Sequence, residues 1–157
     1  MNIRLANHKD IDALIKLRFD YYTSENWEVT KEMSDLFHSQ LLKYYSKHLN
    51  IDFFAALVEN DNENVVSCAF LAISEMPANL SVPTGKKGTI LNVLTYPECR
   101  KRGYATKAIN LLIEEAQRQD LSLIELMASE LGMPLYRKLG FQEPKYSSFT
   151  RMKMELI

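Results

Sequence analysis

The sequence predicts an α+β fold of three layers, an α/β arrangement in which a sheet is flanked by helices, and three observations lead to it. Runs of helical period and runs of strand character alternate along the chain instead of segregating. Residues 53–59 and 65–75 are apolar, β-branched and aromatic runs joined by a short polar connection, the mark of an antiparallel pair. Residues 89–95, a glycine-bearing turn, an amphipathic helix and another apolar run then follow in the order of a βαβ crossover, which implies a parallel pair.

The elements follow in order. Ile3 and Leu5 alternate with polar neighbours as a short first strand, and Asn7 or His8 is placed to cap a helix starting near Lys9. Ile11, Leu14, Ile15 and Tyr22 fall at helical spacing along it, and Thr23 to Trp27 reads as a loop. A second helix is expected from about Thr30 to Leu49, where Met33, Leu36, Phe37, Leu41, Tyr44, Tyr45 and His48 recur on one stripe. The strands Phe53 to Glu59 and Val65 to Glu75 are linked by Asn60-Asp61-Asn62-Glu63-Asn64, a composition suited to a hairpin. Met76 to Lys87, with Pro77, Pro83 and Gly85, reads as a long irregular loop of the kind used for binding or as a lid.

Thr89 to Thr95 is the expected central strand. In the helix after the turn, Ala105, Ala108, Ile109, Leu112, Ile113 and Ala116 form one apolar stripe, with Thr106, Lys107, Asn110, Glu114, Glu115 and Gln117 left mostly to solvent. Leu121 to Ala128 is the next strand, and Pro134 to Leu139 a short helix that Gly140 terminates. Thr150 to Ile157 alternates Met152, Met154 and Leu156 against Arg151, Lys153 and Glu155 as a last strand.

At 157 residues and 46% hydrophobic, the chain is expected to form a single domain over residues 1–157 with a real core. A net charge of −1 argues against nucleic acid or a membrane surface as partner. Cys68 and Cys99 make neither a disulfide framework nor a metal-ligand spacing, as a reducing compartment leads one to expect. With no signal-like apolar start and no run of membrane-spanning length, a cytoplasmic location is the expectation.

Chemistry concentrates at residues 97–118. The basic turn Arg100-Lys101-Arg102-Gly103 opens straight into a helix, whose first turn presents unpaired N–H groups and the positive end of the peptide dipole. An anion is held well there, and Gly103 allows close approach to the backbone because it has no β-carbon. The spacing matches neither a nucleotide-hydrolysing P-loop nor a dinucleotide fingerprint.

What is present is Arg100-x-x-Gly103-x-Ala105, preceded by Ile90-Leu91-Asn92-Val93-Leu94-Thr95 and followed by Leu135-Tyr136-Arg137-Lys138-Leu139-Gly140-Phe141. This combination, within residues 88–141, resembles the GCN5-related N-acetyltransferase (GNAT) family, whose members move an acetyl group from acetyl-CoA to an amine. The resemblance implies a mixed, mostly antiparallel sheet whose central parallel strands splay apart, acetyl-CoA as cosubstrate and no metal. It implies that the main chain of Val93, Leu94 and Thr95 pairs with the pantetheine arm, that Arg100, Lys101, Arg102, Gly103, Tyr104, Ala105 and Thr106 hold the diphosphate, and that Ser129 contacts the coenzyme. Tyr136, at the family's acid tyrosine, is the expected proton donor to the departing thiolate, and a phenol of pKa ~10 is protonated at neutral pH.

Two departures stand out. Where many members carry Asn-x-x-Ala-x-x-Leu-Tyr, this chain has Ser129 and Gly132, and where some carry a strand glutamate it has Met127. The base is therefore open between Glu75, Glu125, Glu130 and a water path, while His38 and His48 read as rim or packing residues. Acceptor specificity is expected in the first two helices, the loop between them and the 76–87 loop. Tyr21, Tyr22, Trp27, Tyr44 and Tyr45 make that half aromatic, as a pocket or simply as core.

The expected activity is acetyl transfer to a primary amine of a small molecule or a protein, with a homodimer implied only by resemblance. Against it stand a non-catalytic acyl-CoA-binding or regulatory module, to which the two departures point, and an interaction protein sharing only the fold.

Overall fold

Among the described residues five strands form one sheet in chain order: β1 (Asn2–Leu5), β2 (Phe53–Glu59), β3 (Val65–Glu75), β4 (Lys86–Thr95) and β5 (Leu123–Leu126). The first four pair antiparallel, and β5 runs parallel to β4. This is the mixed sheet of the expected fold. The computed structural model describes residues 1–145 and 152–156, which fall into two compact units, Met1–Met127 and Ala128–Ile157.

In the first unit β2 is buried at all seven positions, because both faces of the sheet are covered. Phe53, Ala55 and Leu57 share one face with Cys68, Phe70 and Leu94, and meet Leu14, Ile15, Leu17 and Tyr45 from α1 (Ile11–Ser24) and α2 (Lys31–His48). The alternate residues face α3 (Tyr104–Arg118), which packs across β2 and β3. Of the two capping candidates, Asn7 and His8, Asn7 is the one that caps, and what it caps is a 3-10 turn, His8–Asp10, that precedes α1. The Asn7 side chain accepts from Lys9 N–H and Asp10 reaches back to Asn7 N–H, a reciprocal box at that turn.

Several expectations are corrected. α1 runs on to Ser24, so the predicted loop at Thr23 starts later. On α2 only Tyr45 is fully buried, and Leu36 is 67% exposed. A helical stripe says which face can turn inward, but burial needs neighbours at that height, and Tyr45 has both Phe53 and Phe70 whereas Tyr44 has Phe53 and stays half-buried. β4 begins at Lys86, because Lys86 and Lys87 continue the ladder opposite Glu75 and Ser74. The loop is thereby shortened to 76–85 and closed by Met76 N–H donating to Gly85 O at 2.8 Å. A β-carbon on Gly85 would stand 2.7 Å from Met76 O. Glu115, predicted outward, is buried at 5% exposure, its carboxylate held by Arg118 at 3.2 Å and Gln119 at 2.8 Å.

In the second unit α4 (Met133–Lys138) lies one residue ahead of its predicted span. Gly140, at φ +95°, follows it as expected. Its N–H donates to Arg137 O and that of Phe141 to Tyr136 O, each at 3.0 Å, the paired bonds of a Schellman end. The predicted last strand does not form over 152–156, which are exposed and irregular, since alternation makes a strand only where an edge pairs with it; residues 150, 151 and 157 lie outside the described residues. No helix among the described residues is long and apolar enough to cross a membrane.

Candidate active site

β4 leaves its parallel neighbour halfway along. The β4–β5 register ends at Ile90 opposite Leu126, so residues 91–95 have no strand on that side among the described residues. On the other side Cys68 faces Leu94 and Phe70 faces Leu91, which sets Asn92 and Val93 against the single residue Ala69. That is a β-bulge. Asn92 takes the left-handed conformation, φ +54°, which asparagine tolerates better than most residues.

The bulge is held by a buried polar cluster. Asn92, 2% exposed, donates through Nδ2 to Leu17 O at 3.2 Å and accepts at Oδ1 from Arg18 Nη1 at 3.2 Å. Cys68 Sγ lies 3.6 Å from Asn92 O. Burial pushes the Cys68 thiol up to about 12, so it stays protonated and serves as packing.

Beyond the bulge Tyr96 N–H donates to Val66 O at 3.2 Å. Strand alternation then turns the main chain of Leu94 toward β3, and Leu94 O accepts from Ser67 Oγ at 2.8 Å. Val93 and Thr95 turn theirs to the open side. Thr95 O there accepts from Arg100 Nε at 3.1 Å, which ties the basic turn to the strand end.

A 3-10 turn, Pro97–Cys99, leads from β4 into Arg100, and Lys101 (φ +61°) and Gly103 (φ +75°) complete the bend as left-handed residues. Gly103 is the N-cap of α3. It caps with no side chain, and the first turn of the helix holds no acidic residue, so no carboxylate competes for the N–H groups around Tyr104, Ala105 and Thr106. A β-carbon at Gly103 would meet nothing within 4 Å, so the glycine answers to the backbone angle and to open space above it. Arg100, Lys101 and Arg102 are exposed and have no carboxylate partner among the described residues. Open main-chain donors beside three cations suit a diphosphate.

Sequence reasoning missed the groups that α1 brings to this edge. Asp20 accepts from the Tyr96 hydroxyl and from Lys16 Nζ, closing the far end of the open strand. Burial first, then the bond to Asp20, push the Tyr96 phenol up. Arg18 sits beside the bulge with its guanidinium 4.8 Å from the Tyr22 ring centroid. The one available signal was Asn92 itself, a polar residue inside the apolar run 90–94.

The aromatics divide between the two readings. Tyr44 and Tyr45 pack with Phe53 in the core, whereas Trp27, 60% exposed, stacks on Tyr22 at 5.5 Å. Among the candidate bases, Glu125 is bound by Lys87 at 2.6 Å and Glu75 is exposed beside Lys86. His48 stacks on Tyr44 and bonds Asp52, a packing role, and His38 is exposed.

The second unit carries the other two candidates. Tyr136 is 9% exposed and meets Phe141 edge-on. A β-carbon on Gly132 would stand 2.8 Å from Tyr136 Cε2, so glycine in place of the family's alanine lets the ring lie over that turn. Ser129 Oγ accepts from Gly132 N–H at 3.2 Å.

Comparison with known proteins gives these arrangements a context. Residues 11–141 match the model of the acetyltransferase (GNAT) family. A predicted acetyltransferase of Clostridium acetobutylicum, solved with acetyl-CoA, is 30% identical with a TM-score of 0.82, the alignment covering 97% of this chain and 95% of that one. A GCN5-related N-acetyltransferase of Ralstonia eutropha JMP134 (23% identity, TM-score 0.78, 96% and 97% covered) and an acetyltransferase of Trypanosoma brucei (18%, 0.70, 99% and 99%) share the fold. No match was found among curated proteins. With the family model spanning most of the chain, and its basic turn and parallel strand pair in the expected places, the chain belongs to the acetyltransferase (GNAT) family.

Proposed function

We propose that the protein transfers the acetyl group of acetyl-CoA to a primary amine of a small molecule or a protein. The observation that carries this reading is the open edge of β4, whose main chain at Val93 and Thr95 runs from the Asn92 bulge into the uncapped start of α3. In this reading Lys101, Arg102 and the N–H groups from Gly103 to Thr106 hold the diphosphate, Arg100 braces the turn through Thr95, and Val93, Leu94 and Thr95 line the pantetheine arm. Ser129 contacts the coenzyme from its turn. The acetyl-CoA in the Clostridium relative supports the choice of cosubstrate.

The thioester supplies an activated acyl carbon. A neutral amine attacks the carbonyl carbon, the C–N bond forms, the C–S bond breaks, the Tyr136 phenol gives its proton to the departing thiolate, and the attacking nitrogen loses its own proton through water, which restores the phenol and leaves a neutral amide. Glu125 is ion-paired with Lys87 and Glu75 lies beside Lys86, so in this reading the ammonium loses its proton before attack to water, directly or on the way to Glu130.

Calorimetric titration with coenzyme A, followed by thiol release from acetyl-CoA over an amine panel, tests the proposal. Failure to bind coenzyme A defeats it, and binding without thiol release for any amine leaves a binding module instead.

A further inference from the structure

Arg18 is a half-buried cation beside the bulge with no carboxylate to answer it among the described residues. The contrast with Arg4 is direct. That guanidinium is clamped between Asp10 at 2.7 Å and Glu59 at 2.6 Å. Arg18 has instead two aromatic rings, with Cζ 4.8 Å from the Tyr22 centroid and 5.9 Å from that of Tyr21, and a single bond to Asn92 Oδ1. An arginine carries five N–H donors in a rigid fork, so most of this one remains to be used.

Its position gives the spare donors a purpose. In the reading proposed above, on which this inference rests, the diphosphate lies at the start of α3 and the arm runs back along β4 from Thr95 toward Val93. The acyl end then arrives at the bulge, where Asn92 joins Arg18. Trp27, 60% exposed, stacks on Tyr22 (5.5 Å, 17° between planes), the ring nearest the same cation. A cationic or neutral amine gains nothing from an arginine here. An amine that also bears an anionic oxygen group gains a bidentate partner already held in place by aromatic rings.

We infer that Arg18 determines acceptor specificity by binding an anionic group, so that the acceptor is an amine carrying a carboxylate or a phosphate. The bond to Asn92 does not by itself account for Arg18, since Asn92 is also held by Leu17 O and lies within reach of Cys68 Sγ.

Matched amine pairs test this with acetyl-CoA: β-alanine against propylamine, and phosphoethanolamine against ethanolamine. The anionic member of at least one pair is expected to show kcat/KM about ten- to a hundredfold above its neutral partner, the pair concerned telling carboxylate from phosphate. Arg18→Gln is expected to erase that advantage through the acceptor KM, so that the two members of a pair are turned over alike. Arg18→Lys keeps part of it and guards against a glutamine variant that fails to fold. Equal or better turnover of the neutral members overturns the Arg18 assignment while acetyl transfer stands, and so does an Arg18→Gln loss equal for both members of a pair. Coenzyme A binding without thiol release from any amine overturns the transferase reading and this inference with it.

Discussion

The Phe141 N–H donates to the Tyr136 carbonyl at 3.0 Å, and the two rings meet edge-on with centroids 6.0 Å apart. One short motif thus stops α4 and pins the tyrosine assigned to proton donation, through both its backbone and its ring. The turn depends on Gly140 at φ +95°, where an added β-carbon meets nothing. Gly140→Ala should therefore cost only backbone strain, about 1–2 kcal/mol, read as faster amide exchange at Gly140 and Phe141 positions. Protection equal to wild type would show that the left-handed residue is not what holds the motif.

Tyr136→Phe removes the phenolic proton and keeps the ring against Phe141. Acetyl transfer should fall by about a hundredfold or more with coenzyme A affinity unchanged, as thiol release and calorimetry would record. An undiminished rate takes Tyr136 out of the acid role.

At Gly103 the space is open and φ is +75°, so Gly103→Val strains the N-cap and sets a side chain over the main-chain donors. We expect coenzyme A to bind at least about tenfold more weakly, an effect of roughly 1.4 kcal/mol. Calorimetry showing wild-type affinity would move the diphosphate elsewhere.

Asn92 combines a left-handed backbone with buried bonds to Leu17 and Arg18. Asn92→Ala loses both advantages and should cost about 2–4 kcal/mol, while Asn92→Gly keeps the backbone freedom and should cost roughly 1–2 kcal/mol less. Urea denaturation of the two variants measures the gap. Equal losses would mean that the bulge conformation carries no strain.

The Arg4 guanidinium, hydrogen-bonded to Asp10, holds the Asp10 carboxyl below its usual value of 3.8. A carboxyl depressed in the folded state contributes stability above its unfolded pKa, and this is lost as pH falls through the folded one. Asp10→Asn should therefore narrow the gap in melting temperature between neutral pH and pH values below about 4. A gap as wide as that of wild type would mean that the pair contributes nothing there.

Much of the fold was legible in the residues. The hairpin around Asn60–Asn64, the α3 stripe, the cap at Asn7 and the stop at Gly140 depend on dihedral preference and on spacings of two to four residues, all local quantities. Glu115 was misread because a residue flanking an apolar stripe can be drawn under by its neighbours if Arg118 and Gln119 satisfy its charge.

The basic turn and its glycine were equally plain in the sequence, since a helix start and a left-handed residue write themselves locally. Only the tertiary structure decided where β4 parts from β5, that Asn92 forms a bulge, and that α1 delivers Arg18 and Asp20 to the exposed strand edge. Arg18 and Asn92 are 74 residues apart, and Asp20 and Tyr96 are 76. Contacts over such separations arise from how helices seat on a sheet, which no short spacing encodes.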